Sequence, residues 1–279
     1  MPGAAVAPLL VVGSVALDSL RGGRVTDELG GSAVYFALAA CRAARVRLVA
    51  PVGRDAEARL RRVLDAHPEI DASGLAVLDA PTYRWFADVR GDHNVDLGSQ
   101  DVIYDRWSPA LPPGWDGWAF IGSMRPDRQQ ETARALAGCG LLAADAMRSY
   151  VEADPTAARA ILRLADWYFC NEDEFRALGG QDPGDFRRRW GLTGLVLKRG
   201  PAGASAYVGD AAFHRPAVET RVLDTTGAGD ALAGGMLSRW SQRRGDPSRL
   251  GEALQHGLEC AAVAISDVGV RALARVPAV

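Results

Sequence analysis

The sequence predicts an α/β protein with a mostly parallel central sheet, helices on both faces and a small patch of extra β-structure. Two observations carry this prediction. Short apolar runs alternate along the chain with Ala-rich or amphipathic stretches of helical spacing. One segment, Leu75 to Tyr104, breaks that rhythm with alternating β-branched and aromatic residues, interrupted at Gly91-Asp92 and Gly98-Ser99. At 279 residues and 48% hydrophobic content, the chain can bury the core of one large α/β domain or those of two small domains.

In order, Leu9–Gly13 reads as a buried strand and Ser32–Ala44 as an Ala-rich helix. Arg47–Val52 reads as a strand and Ala56–Ala66 as a helix with Leu60, Val63 and Leu64 on one face. Tyr83, Trp85, Phe86 and Val89 mark inserted antiparallel strands. From Trp118 the alternation resumes, with strands at 118–121, 141–145, 166–170 and 194–198 and helices at 128–137, 155–163, 172–178 and 184–190. A hairpin near 203–216 and two Ala-rich helices at 228–242 and 249–266 complete the chain. In such a sheet ligands bind beyond the strand C-termini, so the loops after Val12, Ile121, Ala144, Cys170 and Lys198 are the expected site.

Composition narrows the function. A formal net charge of −2 gives no global field toward nucleic acid or an anionic membrane. No apolar run approaches the roughly 20 residues that span a bilayer, and Met1–Ala5 lacks a basic signal-peptide start. The scattered Cys41, Cys139, Cys170 and Cys260 read as buried free thiols of a cytoplasmic protein. His67, His93, His214 and His256 lack metal-ligand spacing, and no GxxxxGK[ST] phosphate loop occurs.

The most informative segment is Asp224-Thr225-Thr226-Gly227-Ala228-Gly229-Asp230, a glycine-bearing turn that runs into a helix. Small residues let backbone N–H groups approach a ligand, and the first helical turn leaves its N–H groups unpaired, which together make an anion site. A carboxylate at Asp230 would repel a bound phosphate, so its presence fits a base reaching a group beside that phosphate. Asn171-Glu172-Asp173-Glu174 follows an apolar strand and reads either as a helix cap or as a Mg²⁺ site working through water. Lys198, the only lysine, precedes a turn with Gly200 and Gly203 that reads as a phosphate neighbour or as a solvated hairpin base. Asp18 ends a strand-loop, and Gly30-Gly31-Ser32 opens a helix containing Tyr35. Arg125, Asp145 and Arg148 fall on the same side of the predicted sheet, where they read equally as ligand contacts or as caps and surface charge.

The full Asp224–Asp230 pattern resembles the D-T-x-G-A-G-D signature of the ribokinase (PfkB-type) carbohydrate kinases, and the other motifs follow in the family's order. The Gly30–Tyr35 loop is closer to an inositol- and nucleoside-kinase-like branch, because Tyr35 stands where many members carry Asn. The resemblance implies a single ribokinase-like domain over 1–279, a three-layer sandwich with a small β lid at about 14–30 and 75–104, its first half reduced. It implies an ATP- and Mg²⁺-dependent kinase for a hydroxyl of a small sugar, polyol or nucleoside. Asp230 would be the general base, and Gly227, Ala228 and Gly229 the anion hole. Lys198, Gly200, Gly203, Thr225, Asn171 and Glu174 would hold nucleotide and metal. Asp18, Gly30, Gly31, Ser32, Tyr35, Arg125 and Asp145 would face the substrate. A monomer or homodimer is expected, and a catalytically silent ligand-binding relative is the alternative.

Overall fold

A computed structural model describes residues 7–20, 23–90 and 93–276. Met1–Ala5 and Gly91-Asp92 lie outside the described residues, as do the side chains of Val89 and His93. The chain runs through β1 (Leu9–Val12), β2 (Ala16–Leu20), β3 (Val25–Gly30), α1 (Ser32–Ala40), β4 (Val46–Gly53), α2 (Arg54–Leu64) and β5 (Ile70–Leu78). Then come β6 (Tyr83–Arg90), β7 (His93–Gln100), a 3₁₀ turn (Val102–Arg106), β8 (Trp118–Ile121), α3 (Pro126–Ala135), β9 (Leu141–Asp145), α4 (Arg148–Ala153) and α5 (Pro155–Leu162). The rest comprises β10 (Trp167–Asn171), α6 (Glu172–Ala177), α7 (Pro183–Trp190), β11 (Gly194–Lys198), β12 (Ala204–Val208), β13 (Ala211–Arg215), α8 (Ala228–Gln242), α9 (Leu250–Ala264) and α10 (Arg271–Arg275).

Among the described residues the central sheet has nine strands in the order β13-β12-β11-β10-β9-β8-β1-β4-β5. It is parallel from β11 to β5, and β12 and β13 add an antiparallel hairpin at one edge. The continuous apolar runs follow from burial on both faces. Leu9 and Val11 of β1 point into a core with α1, α8 and α9, while Leu10 and Val12 point into a second core with α3, α5 and α7. Trp167 and Phe169 against Tyr168 and Cys170 repeat this division on β10. Helix ends follow local chemistry: Asp182 caps α7 by accepting from Asp185 N at 2.8 Å, Pro183 occupies its first turn, and Gly191 ends it in the left-handed region.

A second sheet, ordered β3-β2-β6-β7, lies beside the first. Its extent corrects the sequence reading of 75–104. Leu75–Leu78 finish β5, which pairs with β4 in the central sheet, and the segment closes in a 3₁₀ turn. The β2–β6 pairing is parallel, and the stretch before Gly30 supplies two complete strands rather than a reduced half. The helix expected over 32–44 stops at Ala40, where a turn feeds β4, and the short α4 and α10 have no counterpart in the sequence reading.

Candidate active site

Strand order reverses at β1, whose neighbours are β8 and β4, so a crevice opens beyond the C-terminal ends of β1 and β8. α1 plugs it. Ser32, in its first turn, accepts from Ser14 N at 3.1 Å and donates to Ser123 O at 2.9 Å, tying the loops after β1 and β8 together. A side chain at Gly13 or Gly122 would stand 2.5 Å from Ser32 Oγ. Gly31 takes φ 101° with Ser14 O 2.4 Å from any added Cβ, a position only glycine tolerates. At Gly30 an added Cβ would lie within 2.2 Å of Asp18 Oδ2, so the bare backbone leaves room for that carboxylate.

α8 begins over the same crevice. Asp224 Oδ1 accepts from Thr226 N at 3.0 Å and Thr226 Oγ1 at 2.6 Å, which shapes the turn before Gly227, and Thr225 lies half-buried in it. Gly227 caps α8 at φ 73°, with the Tyr35 ring 2.3 Å from a hypothetical Cβ. Tyr35 therefore backs the turn, and its buried hydroxyl has no protein partner. Ala228 N reaches back to Thr225 O at 3.4 Å, and Ala231 N closes the first helical bond to Gly227 O at 2.9 Å.

Four charged side chains from separate elements share the ground beneath this turn. Lys198, ending β11, puts Nζ 2.5 Å from Asp145 Oδ2 at the end of β9 and 3.9 Å from Glu174 Oε2 in α6. The same Nζ would be 2.8 Å from a Cβ on Gly229, so glycine there lets the ammonium approach the start of α8. Asn171 and Glu174 form a capping box, Asn171 N donating to Glu174 Oε2 at 2.7 Å and Glu174 N to Asn171 Oδ1 at 2.8 Å. Asp145 also accepts from Ala146 N at 2.8 Å. Asp230 completes the cluster from the first turn of α8.

The electrostatics follow from burial. Asp230 is pushed up to about 7, first by desolvation and then by the Asp145 and Glu174 charges, against the pull of Lys198. Glu174 rises to about 7 by burial, with Lys198 again opposing. Burial alone would lower Lys198, but Asp145 and Glu174 outweigh it and hold it above its usual range. Asp18 is raised by burial and then by Asp224 and Asp230, which places the β2 carboxylate in the field of the α8 turn.

Asp18, Gly30, Gly31 and Tyr35 thus gather with Gly227–Asp230 on one side, and Asp145, Asn171, Glu174 and Lys198 on the other. Gly200 and Gly203 shape the turn after β11, where Gly203 takes φ 87° against Arg215 O. Arg125 is taken up by Asp105 at 2.6 Å and Asp127 at 2.7 Å. Arg148 is exposed and pairs with Glu152 at 2.8 Å. Sequence reasoning passed over Ser14 and Ser123, although a Gly-Ser pair follows both β1 and β8, a repetition that marks two loops meeting at one point.

A helix N-terminus carrying a half-buried carboxylate, with the β11 lysine beside it, stands above the ligand end of a mostly parallel sheet, in a chain whose family match makes it a phosphotransferase with an alcohol group as acceptor. The chain belongs to the pfkB family carbohydrate kinases, whose pattern it matches over residues 9–276. It is 29% identical over 275 residues to the cytidine kinase of Thermococcus kodakarensis, covering 90% of this chain and 93% of that one. Its fold is shared with the Burkholderia thailandensis nucleoside kinase solved with inosine (TM-score 0.78, 22% identity, 95% and 94% of the two chains). The aminoimidazole riboside kinase of Salmonella enterica, solved with its riboside and an ATP analogue, matches at TM-score 0.74 and 24% identity over 96% of each chain. Among the described residues no helix is long and apolar enough to cross a membrane.

Proposed function

We propose that the chain transfers the γ-phosphate of ATP to a hydroxyl of a small sugar, polyol or nucleoside, with Asp230 as general base. The observation that carries this reading is the half-buried Asp230, raised to about 7 by desolvation and neighbouring carboxylates in the first turn of α8 and set between Lys198 and the crevice behind Gly30-Gly31. A base with that affinity for a proton works near neutral pH. The first-turn N–H groups of Gly227, Ala228 and Gly229 receive the transferring phosphoryl group, and Lys198 adds the point charge. Gly200, Gly203 and Thr225 border the nucleotide. Asp18 accepts from substrate hydroxyls, while Gly30, Gly31 and Tyr35 let the substrate approach closely. Ser32 acts by holding the two loops together. Arg125 keeps its partners Asp105 and Asp127 and borders the substrate from outside, and Asp145 borders it once Lys198 turns from its carboxylate to phosphate.

Nucleosides are the favoured substrate class, because the relative matched over 90% of this chain is a cytidine kinase. The Mg²⁺ that such transfer uses fits the oxygen donors of Asn171 and Glu174. The capping box occupies Asn171 Oδ1 and Glu174 Oε2, so these two residues would hold the ion through water. When bound, the ion would neutralise phosphate charge beside Lys198. The enzyme would work in the cytoplasm, where ATP is available.

The test is ADP release against a panel of nucleosides, sugars and polyols. One panel member should support turnover, and Asp230→Asn should reduce kcat by roughly 10²–10⁴-fold on it. ATP binding without turnover on any member would favour the silent relative instead, and survival of activity within severalfold in Asp230→Asn would remove the base assignment.

A further inference from the structure

Away from the catalytic centre, a groove of about 630 Å³ lies where the last turns of α8 and the first half of α9 meet the segment after α1 and the end of β13. That volume is in the range of small-molecule sites. Arg42, Arg215, Arg239, Glu252, His256 and Glu259 line it.

Its charges are unbalanced. Arg42 and Arg215 make no ion pair with a carboxylate among the described residues. Arg42 Nε is removed from solvent without an acceptor, and its Nη1 meets only Cys260 Sγ at 3.9 Å. Arg215 spends Nη1 on the neighbouring His214 O at 2.8 Å. Its Nη2 would stand 2.6 Å from a Cβ on Gly251, so glycine at the start of α9 is what lets this guanidinium lie over the helix. Glu252 is already shared by Arg239 at 2.7 Å, Arg243 at 3.2 Å and Arg249 at 3.7 Å. Glu259 meets His256 Nδ1 at 3.4 Å. Three guanidiniums, Arg42, Arg215 and Arg239, thus share the groove with two carboxylates, Glu252 takes two further arginines from outside it, and Arg42 and Arg215 are held half-buried with donors to spare. A guanidinium presents parallel N–H groups that match phosphate oxygens.

We propose that this groove binds the phosphate group of a small, hydroxyl-bearing phosphate ester, separately from the Asp230 centre. Arg42 and Arg215 hold the phosphate. The remaining lone pairs of Glu259 accept from the ligand's hydroxyls, which selects an ester over the bare ion. Arg239 stands nine residues beyond Asp230 on α8, about 13 Å along the helix axis, so one rigid helix joins the two sites.

His256 serves as a local reporter, because an anion at the Asp230 centre would not touch its ring. Phosphate is exchanged for chloride at constant ionic strength in the full-length protein, and the His256 ring signal, assigned through its loss in His256→Gln, is followed by NMR. The expected result is a saturable shift with phosphate, tighter saturation with glycerol phosphate, and at least about tenfold weaker binding of both in Arg42→Gln and in Arg215→Gln. Lys198→Met should leave the shift intact. An unmoved His256 signal in the wild type overturns the proposal, as does an undiminished shift in both arginine variants. Loss of the shift in Lys198→Met would put the anion in the catalytic centre and overturn it too. Far-UV circular dichroism checks folding of each variant, and the two arginines on different elements guard against failure of one.

Discussion

The Asp230 carboxyl and the Lys198 ammonium are charged groups in a place that resists charge, and that conflict is measurable. Asp230 is a carboxyl whose folded value lies above its unfolded one, so ionising it costs stability at high pH and the cost is relieved as pH falls through about 7 toward 4. Asp230→Asn removes the cost. Its stability relative to wild type should be greater at pH 8 than at pH 5 by about 2 kcal/mol, read from denaturant midpoints at the two pH values. Activity should run the other way, with kcat rising through pH 7 as the base loses its proton, and a flat wild-type profile from pH 6 to 8 would contradict this. Lys198 offers a direct view, because it is the only lysine. Protein made with ¹³Cε-labelled lysine should give a single side-chain resonance, displaced on adding ATP as Nζ exchanges Asp145 for phosphate. No displacement at saturating ATP would leave Lys198 a structural cation.

At the scale of elements, α1 and α8 carry the crevice and the Gly227 turn, and glycines set how closely they approach. A Cβ at Gly234 would stand 2.4 Å from Phe36 O of α1, with backbone rather than a movable side chain in the way. Gly234→Ala should therefore cost about 2–4 kcal/mol and raise KM, both by prising the helices apart. Gly227→Ala meets the Tyr35 ring in addition to a left-handed φ and should lose activity even where it folds. Denaturation curves and steady-state kinetics check both. Much of this scale was legible beforehand: the bounds of β8, β9, β11 and α8 come directly from apolar runs and glycine-rich boundaries. The end of α1 was not, because Cys41–Ala44 keep helical composition and only the entry into β4 ends the helix. Nor was the membership of Leu75–Leu78, since an apolar run does not record which of two sheets it joins.

Across the whole molecule, the two sheets differ in how they are held. The central sheet is buried on both faces, whereas the β3-β2-β6-β7 sheet sends only part of its residues, such as Leu17, Leu29 and Tyr83, into the cores and adds polar ties. Glu28 on β3 accepts from Arg59 at 2.9 Å and from Nε and Nη2 of Arg271 of α10 on its two oxygens, and Val270 N donates to Leu29 O at 3.1 Å. Hydrogen exchange should accordingly be slowest in β1, β8 and β10 and faster in β7 at the outer edge of the second sheet. Arg271→Ala should speed exchange in β2 and β3 at a cost of about 1 kcal/mol, since that guanidinium is half-exposed. Equal rates across both sheets would show that the second sheet is not a separately yielding unit.

The sequence by itself determined the layered α/β class and the presence of a glycine-bearing turn ending in Asp230, because apolar periodicity and glycine placement are local properties with local causes. It also marked Asn171, Glu174, Lys198, Asp18 and the Gly30-Gly31 pair as exceptional. The tertiary structure alone decided which of them meet. Asp145 and Lys198 are 53 residues apart and become an ion pair only because β9, β10 and β11 are adjacent in register. Ser32 reaches Ser123 across 91 residues because α1 fills the point where strand order reverses. Pairing between distant groups depends on strand order, and strand order is a property of the assembled sheet.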